Sequence, residues 1–293
     1  MMRPYILENM NPDSFIKRLD EIAALYHEFG VVILPKFFKV DPLYQKYISD
    51  LERIFDEVIK KYAGEDSGAL EIGQKLTLLA STTPEAGKII TDLGTQQNKF
   101  FSFNKLKHAE FVDRLLYKIW GKDAIPMTPQ AGDTLHFFPP GKQFHKYNLP
   151  PHQDYQYLMQ SPEQITLYFG ISDYADGVGG LKIWEKSHKL GIIKSCKNEN
   201  GSFEIYDWEN ALTGLETFDY EWNQGDFGLF DSLLAHSSIP NTSDGASRIV
   251  QIFRYSNINN DTARSYDYYS TVYNNRRGID FTEKHPELYT EDT

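Results

Sequence analysis

The sequence predicts a mainly β fold with a helical layer outside it (α+β), an antiparallel barrel or jelly roll against which N-terminal helices pack. Three observations predict it. Apolar residues recur at helical spacing in the first 120 positions. After Trp120 the texture changes to short β-type runs separated by Pro, Gly, Asn and Asp. Helices gathered first and strands afterwards suit a sheet-built core with helices on its outside, and 19 Tyr and 19 Phe suit pleated surfaces.

Pro12-Asp13-Ser14 opens a helix in which Phe15, Leu19, Ile22, Ala23, Leu25, Tyr26 and Phe29 keep the 3.6-residue period; Gly30 stops it and Val31 to Leu34 reads as a strand. A second helix covers about Pro42 to Lys61, with Tyr44, Tyr47, Ile48, Leu51, Ile54, Phe55 and Ile59 on its apolar face. A third covers roughly Lys105 to Trp120. Strands are expected at Thr134–Phe138, Ile165–Ile171, Gly180–Trp184, Glu216–Glu221, Phe227–Phe230 and Arg248–Tyr255. The chain is organised as one domain: 1–125 mostly helical support, 126–257 a β-rich core, and 258–293 a polar tail or lid carrying Tyr266, Tyr268, Tyr269 and Tyr273.

The 293 residues suffice for a sizeable core. A formal charge of −11 argues against nucleic acid or an anionic membrane surface as main partner, though not against a small anion in a locally basic pocket. A single cysteine, Cys196, excludes an intramolecular disulfide. With no apolar run of membrane-spanning length and no leader-like opening, the expected location is the cytoplasm and the expected partner a small molecule.

Two His and one carboxylate can bind iron(II) on one face and leave the opposite face open. On a strand, residues i and i+2 point the same way, so His-x-Asp can offer two ligands together. Eight His and 41 acidic residues make about one chance match to His-x-Asp/Glu. Three occur: His108/Glu110, His152/Asp154 and His285/Glu287. The first falls in the third helix, where i and i+2 diverge, and the last brackets Pro286 in the polar tail. His152-Gln153-Asp154, after Pro150-Pro151 at the entry to the β-rich half, is the match whose local geometry permits chelation; the plainer reading is a surface-loop histidine.

A third ligand must return from far along the chain, and His188, His236 and His285 are available. His236 follows the strand Phe227–Phe230 and precedes a turn at Pro240 to Gly245, and Arg248 then opens a strand with Val250 and Ile252 on its own face. A hairpin there puts Arg248 beside the metal. An Arg on an apolar strand face is costly unless it meets an anion, which a chelating dicarboxylate would supply; an ordinary salt bridge is the plainer alternative.

His152-Gln153-Asp154, Gly179-Gly180-Leu181 through Trp184-Glu185-Lys186-Ser187-His188, Gly225-Asp226, His236-Ser237-Ser238-x-Pro-Asn241 and Arg248, in that order, resemble the phytanoyl-CoA dioxygenase family of 2-oxoglutarate oxygenases. The opening Phe29-Gly30-Val31-Val32-Ile33-Leu34-Pro35 is similar too, so the likeness spans about Ser14 to Tyr255. The resemblance implies a double-stranded β-helix (cupin-like) core and an iron(II)- and 2-oxoglutarate-dependent dioxygenase that uses O2, releases succinate and CO2, and hydroxylates a small metabolite or biosynthetic intermediate. It implies His152, Asp154 and His236 as catalytic iron ligands. It implies Arg248 and Ser238 on the distal carboxylate of 2-oxoglutarate, with Thr166, Tyr168 and His136 as further co-substrate contacts, and His188 as structural. A carboxylate at Asp154 implies hydroxylation or a related oxidation over halogenation. Two departures stand out. The His236–Arg248 spacing is one residue longer than expected, which leaves Arg254 as an alternative anion-binding residue, and Trp184-Glu185-Lys186 replaces the usual Pro-Gly. Tyr155, Tyr157 and Trp184 either line a pocket or pack in the core. The rival reading is a ligand-binding or sensor protein on the same scaffold with a vestigial metal site.

Overall fold

The computed structural model describes residues 3–64, 66–83, 85–128, 133–141, 148–173, 176–265 and 281–291. Its helices come first. Helix α1 (Pro12–Lys17) is closed by a capping box, with Asn11 Oδ1 accepting from the Ser14 N–H and Ser14 Oγ accepting from the Asn11 N–H. The chain breaks at Arg18, whose backbone leaves the helical region and whose N–H bonds back to Phe15, before α2 (Leu19–Phe29) resumes. The single helix expected over this stretch is therefore two. The break costs the apolar stripe little, since Phe15, Ile22 and Tyr26 all stay buried. Gly30 ends α2 at φ 77°, a left-handed turn in which a Cβ would lie 2.5 Å from His188 Nδ1.

Helix α3 (Pro42–Ala63) follows expectation, with an Asp41 cap and Gly64 as its left-handed stop. Helices α4 (Ile72–Thr82) and α5 (Ala86–Gln96) were not foreseen. The third expected helix is two pieces, α6 (Phe101–Lys107) and α7 (Glu110–Trp120). His108 caps α6 and is exposed, so it and Glu110 are separated by a helix boundary rather than by one helix's turn.

The strands are β1 (Val31–Leu34), β2 (Pro126–Met127), β3 (Thr134–Phe138), β4 (Gln164–Gly170), β5 (Leu181–Trp184), β6 (Ser195–Lys197), β7 (Phe203–Ile205), β8 (Thr217–Tyr220), β9 (Phe227–Asp231), β10 (His236–Ser238) and β11 (Arg248–Asn257). The larger sheet runs β1-β9-β4-β11-β2, with β3 also on β11; the smaller runs β10-β5-β8; β6 and β7 form a hairpin. All pairings within these sheets are antiparallel. The result is a mixed α/β protein built on antiparallel sheets.

Period-2 alternation divides the core in two. Val32, Leu34, Leu167, Phe169, Phe227, Leu229, Ile249 and Phe253 face the helices and join Phe37, Phe38 and Phe111. Their neighbours Val31, Ile33, Tyr168, Phe230, Val250 and Ile252 face the smaller sheet's Leu181 and Ile183. The sheets close tightly where Gly179 and Gly180 pass: a Cβ on Gly180 would lie 2.1 Å from the Tyr220 carbonyl oxygen. Residues 281–291 strap the surface beside the site, with Phe281 buried against Tyr155, Met159 and Phe203. The tail tyrosines from Tyr266 to Tyr273 lie outside the described residues. Among the described residues no helix is long and apolar enough to cross a membrane.

Candidate metal centre

His152 and His236 exchange both backbone N–H···O bonds at 3.0 Å, an isolated antiparallel bridge at the lip between the two sheets. This pairing brings imidazoles 84 positions apart to a ring-centre distance of 4.3 Å. Asp154 joins them by a different route from the one expected. It is not on a strand: its backbone is helical (φ −62°, ψ −26°) and opens the short helix α8 (Tyr155–Leu158). A turn after a bridge, rather than strand alternation, aims His152 and Asp154 at one point. One ligand atom from each of His152, Asp154 and His236 lies within 4.8 Å of the others, and this is the one such cluster of three among the described residues.

The imidazoles are oriented for ligation. His152 Nδ1 lies 2.7 Å from the Pro150 carbonyl and His236 Nδ1 3.0 Å from that of Leu234. Hydrogen bonding at Nδ1 leaves each Nε2 as the lone-pair donor. His152 Nε2 is buried without a partner, 3.8 Å from Asp154 Oδ1. A buried polar atom left so exposed to cost is the mark of a missing ligand, and two imidazoles with one carboxylate form the donor set of an open-faced iron(II) site.

Burial, then the neighbouring His236, pushes His152 down to about 3, so it is neutral and able to ligate at pH 7. Burial alone would raise Asp154; Arg254, the two imidazoles and the Thr166 hydroxyl outweigh it and hold the carboxyl well below its usual range. Gln153, buried between the two ligands, donates through Nε2 to the Gly191 and Leu233 carbonyls and accepts from the Ile193 N–H through Oε1. No sequence signal marks that role.

The triad opens onto a cavity lined by His136, Phe138, Leu149, Thr166, Tyr168, Leu181, Phe230, Ser238, Val250, Ile252 and Arg254. Of the five expected co-substrate residues, His136, Thr166, Tyr168 and Ser238 line it; Arg248 does not, and packs on the lining Phe138 ring instead. Arg248 is buried; its Nη1 donates to the Val178, Gly180 and Ile239 carbonyls, while Nε and Nη2 have no partner. The Tyr168 hydroxyl is also buried without a partner, and burial, opposed by Arg248, pushes it up to about 12. Ser238 Oγ accepts from the Leu149 N–H. His136 touches Thr134 Oγ1 at 2.9 Å, and burial, reinforced by Arg254, pushes it down to about 4. Thr166 donates to Asp154 Oδ2 at 2.6 Å.

Two expectations need correction here. β10 and β11 do not form a hairpin: they lie in different sheets, and residues 239–247 cross between them, pinned by Asn241 Nδ2 donating to the Phe138 and Ala246 carbonyls. Arg254 faces Asp154, not the Arg248 end, six residues away along β11. Other residues fall outside the cavity. Tyr155 packs against Phe281, and Trp184 against Trp208 and Ala235. Tyr157 sits edge-on to the His152 ring at 5.6 Å. Glu185, in the altered 184–186 segment, is buried and accepts from the Tyr5 hydroxyl, so that segment anchors the N-terminus. His188 contacts the His27 carbonyl and stays apart from the triad.

Residues 26–250 match the family model for phytanoyl-CoA dioxygenase (PhyH). The chain belongs to that family. It is an iron- and 2-oxoglutarate-dependent enzyme by that membership, and His152, Asp154 and His236 fit the metal. No curated protein matches the sequence. Among solved structures, the chain resembles the non-haem α-ketoglutarate-dependent epimerase SnoN from nogalamycin biosynthesis, at 15% identity over 82% of this chain and 83% of that one, TM-score 0.52. SnoN in complex with Fe3+, α-ketoglutarate and nogalamycin RO gives 14% identity over 82% and 84%, TM-score 0.56. The α-ketoglutarate-dependent carbocyclase SnoK gives 16% over 81% and 83%, TM-score 0.50. At such identities the likeness is one of fold.

Proposed function

We propose that this PhyH-family chain is an iron(II)- and 2-oxoglutarate-dependent dioxygenase that hydroxylates a small metabolite or biosynthetic intermediate, with release of succinate and CO2. The observation that carries the proposal is a set of buried polar atoms with no partner: His152 Nε2 at the triad, the Tyr168 hydroxyl on the cavity wall, and Nε and Nη2 of Arg248, which packs on the cavity-lining Phe138 ring. A metal would meet the first and a carboxylate the others. We also read the two facing sheets as a double-stranded β-helix core, in keeping with the solved neighbours.

In this reading His152, Asp154 and His236 hold the iron, which when bound supplies the oxidising chemistry at its open face. Arg248 grips the distal carboxylate of 2-oxoglutarate with two charge-assisted donors, aided by the Tyr168 hydroxyl and by the proton of Ser238. Leu149, Leu181, Phe230, Val250 and Ile252 keep water from the reacting face. His136, neutral at pH 7, forms a cavity wall beside them. The intact triad and the unpaired Arg248 donors disfavour a vestigial-site sensor.

Anaerobic addition of iron(II) and 2-oxoglutarate is expected to produce a weak visible band near roughly 500 nm, as two-point keto-acid chelation at an open facial site requires. The band is lost in His236→Ala and weakened at low co-substrate in Arg248→Ala. Folded protein without a band sinks the reading. Succinate release across a metabolite panel, with product analysis, then separates hydroxylation from the epimerase and carbocyclase outcomes of the solved neighbours.

A further inference from the structure

Asp154 is held at both oxygens by side chains that the metal chemistry above does not use. Thr166 donates to Oδ2 at 2.6 Å. Arg254 approaches side-on, with Nη2 3.1 Å from Oδ1 and Nε 3.4 Å from Oδ2. The two donors are direct cross-strand partners, Arg254 on β11 opposite Thr166 on β4, in the middle of the larger sheet. Their spacing is set by the ladder itself, so the carboxylate meets a rigid pair. Oδ1 is the oxygen near His152 Nε2.

We infer that Arg254 and Thr166 are positioning residues that confine Asp154 to ligation through Oδ1 alone. The inference rests on the reading of His152, Asp154 and His236 as metal ligands. A carboxylate can bind a cation through one oxygen or two. With Oδ2 occupied by the Thr166 hydroxyl, Oδ1 remains. Two imidazoles and one oxygen would leave open positions for a chelating keto acid and one more ligand, and a second Asp154 oxygen would take up one of them. Arg254 imposes a cost in return. A fixed guanidinium 3.1 Å from the ligating oxygen repels a divalent cation, so it lowers metal affinity while it orients the ligand. This sign separates the inference from a structural role, because removing a merely structural brace loosens the triad and weakens metal binding.

The test is cobalt(II) titration of the chelator-stripped full chain, followed by 2-oxoglutarate titration of the cobalt-loaded protein. In Arg254→Gln cobalt binds about tenfold tighter, by removal of one close charge, and 2-oxoglutarate binds more weakly, because the carboxylate loses the donor that spans both its oxygens. Arg254→Lys keeps the charge but cannot span both oxygens; it retains wild-type cobalt affinity and binds 2-oxoglutarate more weakly. Thr166→Val, which removes the shorter of the two bonds to Oδ2 and keeps Arg254 in place, also weakens 2-oxoglutarate without loosening cobalt. Unchanged or weaker cobalt binding in a folded Arg254→Gln overturns the inference, as does loss of cobalt in Thr166→Val should Arg254→Gln not fold. Wild-type protein that takes up no cobalt sensitive to His236→Ala overturns the metal reading itself.

Discussion

The Arg248 guanidinium lies 4.1 Å from the centre of the Phe138 ring, its direct partner across the β11–β3 ladder. The ring supports the cation without neutralising it, and among the described residues no carboxylate pairs with Arg248. Burial accordingly lowers its pKa. A buried charge kept without a counter-ion is unfavourable for folding and favourable for taking up an anion. Arg248→Met relieves that charge but takes the Nη1 donor from the Val178, Gly180 and Ile239 carbonyls, so the two effects oppose each other and stability in urea unfolding should move by no more than about 2 kcal/mol. The same change should weaken 2-oxoglutarate by about a hundredfold, from loss of two charge-assisted hydrogen bonds. A folded variant that binds 2-oxoglutarate normally contradicts the assignment.

Gln153 tests whether the loop carrying two of the ligands is held from below. Gln153→Leu has nearly the same size but leaves the Gly191 and Leu233 carbonyls and the Ile193 N–H without their partner. Unfolding stability should fall by about 2–4 kcal/mol, the scale for orphaning two or more buried polar groups. Metal affinity should fall with it, since His152 and Asp154 flank this residue. Stability within about 0.5 kcal/mol of wild type, the usual range of a surface change, would show that the loop is held elsewhere.

The triad was legible because ligand type and order survive in sequence even when the local backbone is misread. Strand geometry favours His152-x-Asp154 in the sequence, yet Asp154 is helical; the two side chains converge with His236 because a turn after the bridge aims them at one point. The face shared by Arg248, Val250 and Ile252 was legible because period 2 is local. Arg254 and Thr166 were not, as their partnership depends on which residue of β4 stands opposite which of β11. Helices α4 and α5 were hidden by Gly73 and Gly94, poor helix formers kept at close approaches: a Cβ on Gly73 would sit 2.6 Å from the Ser247 carbonyl oxygen, and one on Gly94 3.3 Å from that of Leu135. Those contacts are made by the folded sheet, so no local pattern announces them.

Gly180 should be among the least replaceable positions. Its added Cβ would meet the Tyr220 carbonyl oxygen at 2.1 Å, backbone that cannot yield without parting β5 from β8. Gly180→Ala should cost about 3 kcal/mol or more, beyond the usual overpacking range. Gly201, at φ 75° with nothing within 4 Å of an added Cβ, provides the control. Gly201→Ala should cost only about 1–2 kcal/mol, the left-handed backbone term alone. Equal losses in the two variants would mean that the sheet closure tolerates movement at this point.

The neutral imidazoles make metal-free protein acid-sensitive in a defined window. His152 sits at about 3 and His136 at about 4 in the fold, both depressed by burial, against about 6.5 in an unfolded chain. Below pH 6.5 the unfolded state binds protons that the folded state refuses. Stability therefore falls as pH drops, until the folded values are reached. Asp154, held below its unfolded value, loses its contribution only at lower pH, outside this window. Each imidazole should cost about 2 kcal/mol at pH 5 relative to pH 7. Urea unfolding of chelator-treated protein at these two pH values measures the sum. His136→Gln, which keeps a hydrogen-bonding group beside Thr134 but cannot titrate, should lose about 2 kcal/mol less than wild type between them. An equal loss in both proteins would mean that His136 is already protonated, or solvated, on the cavity wall.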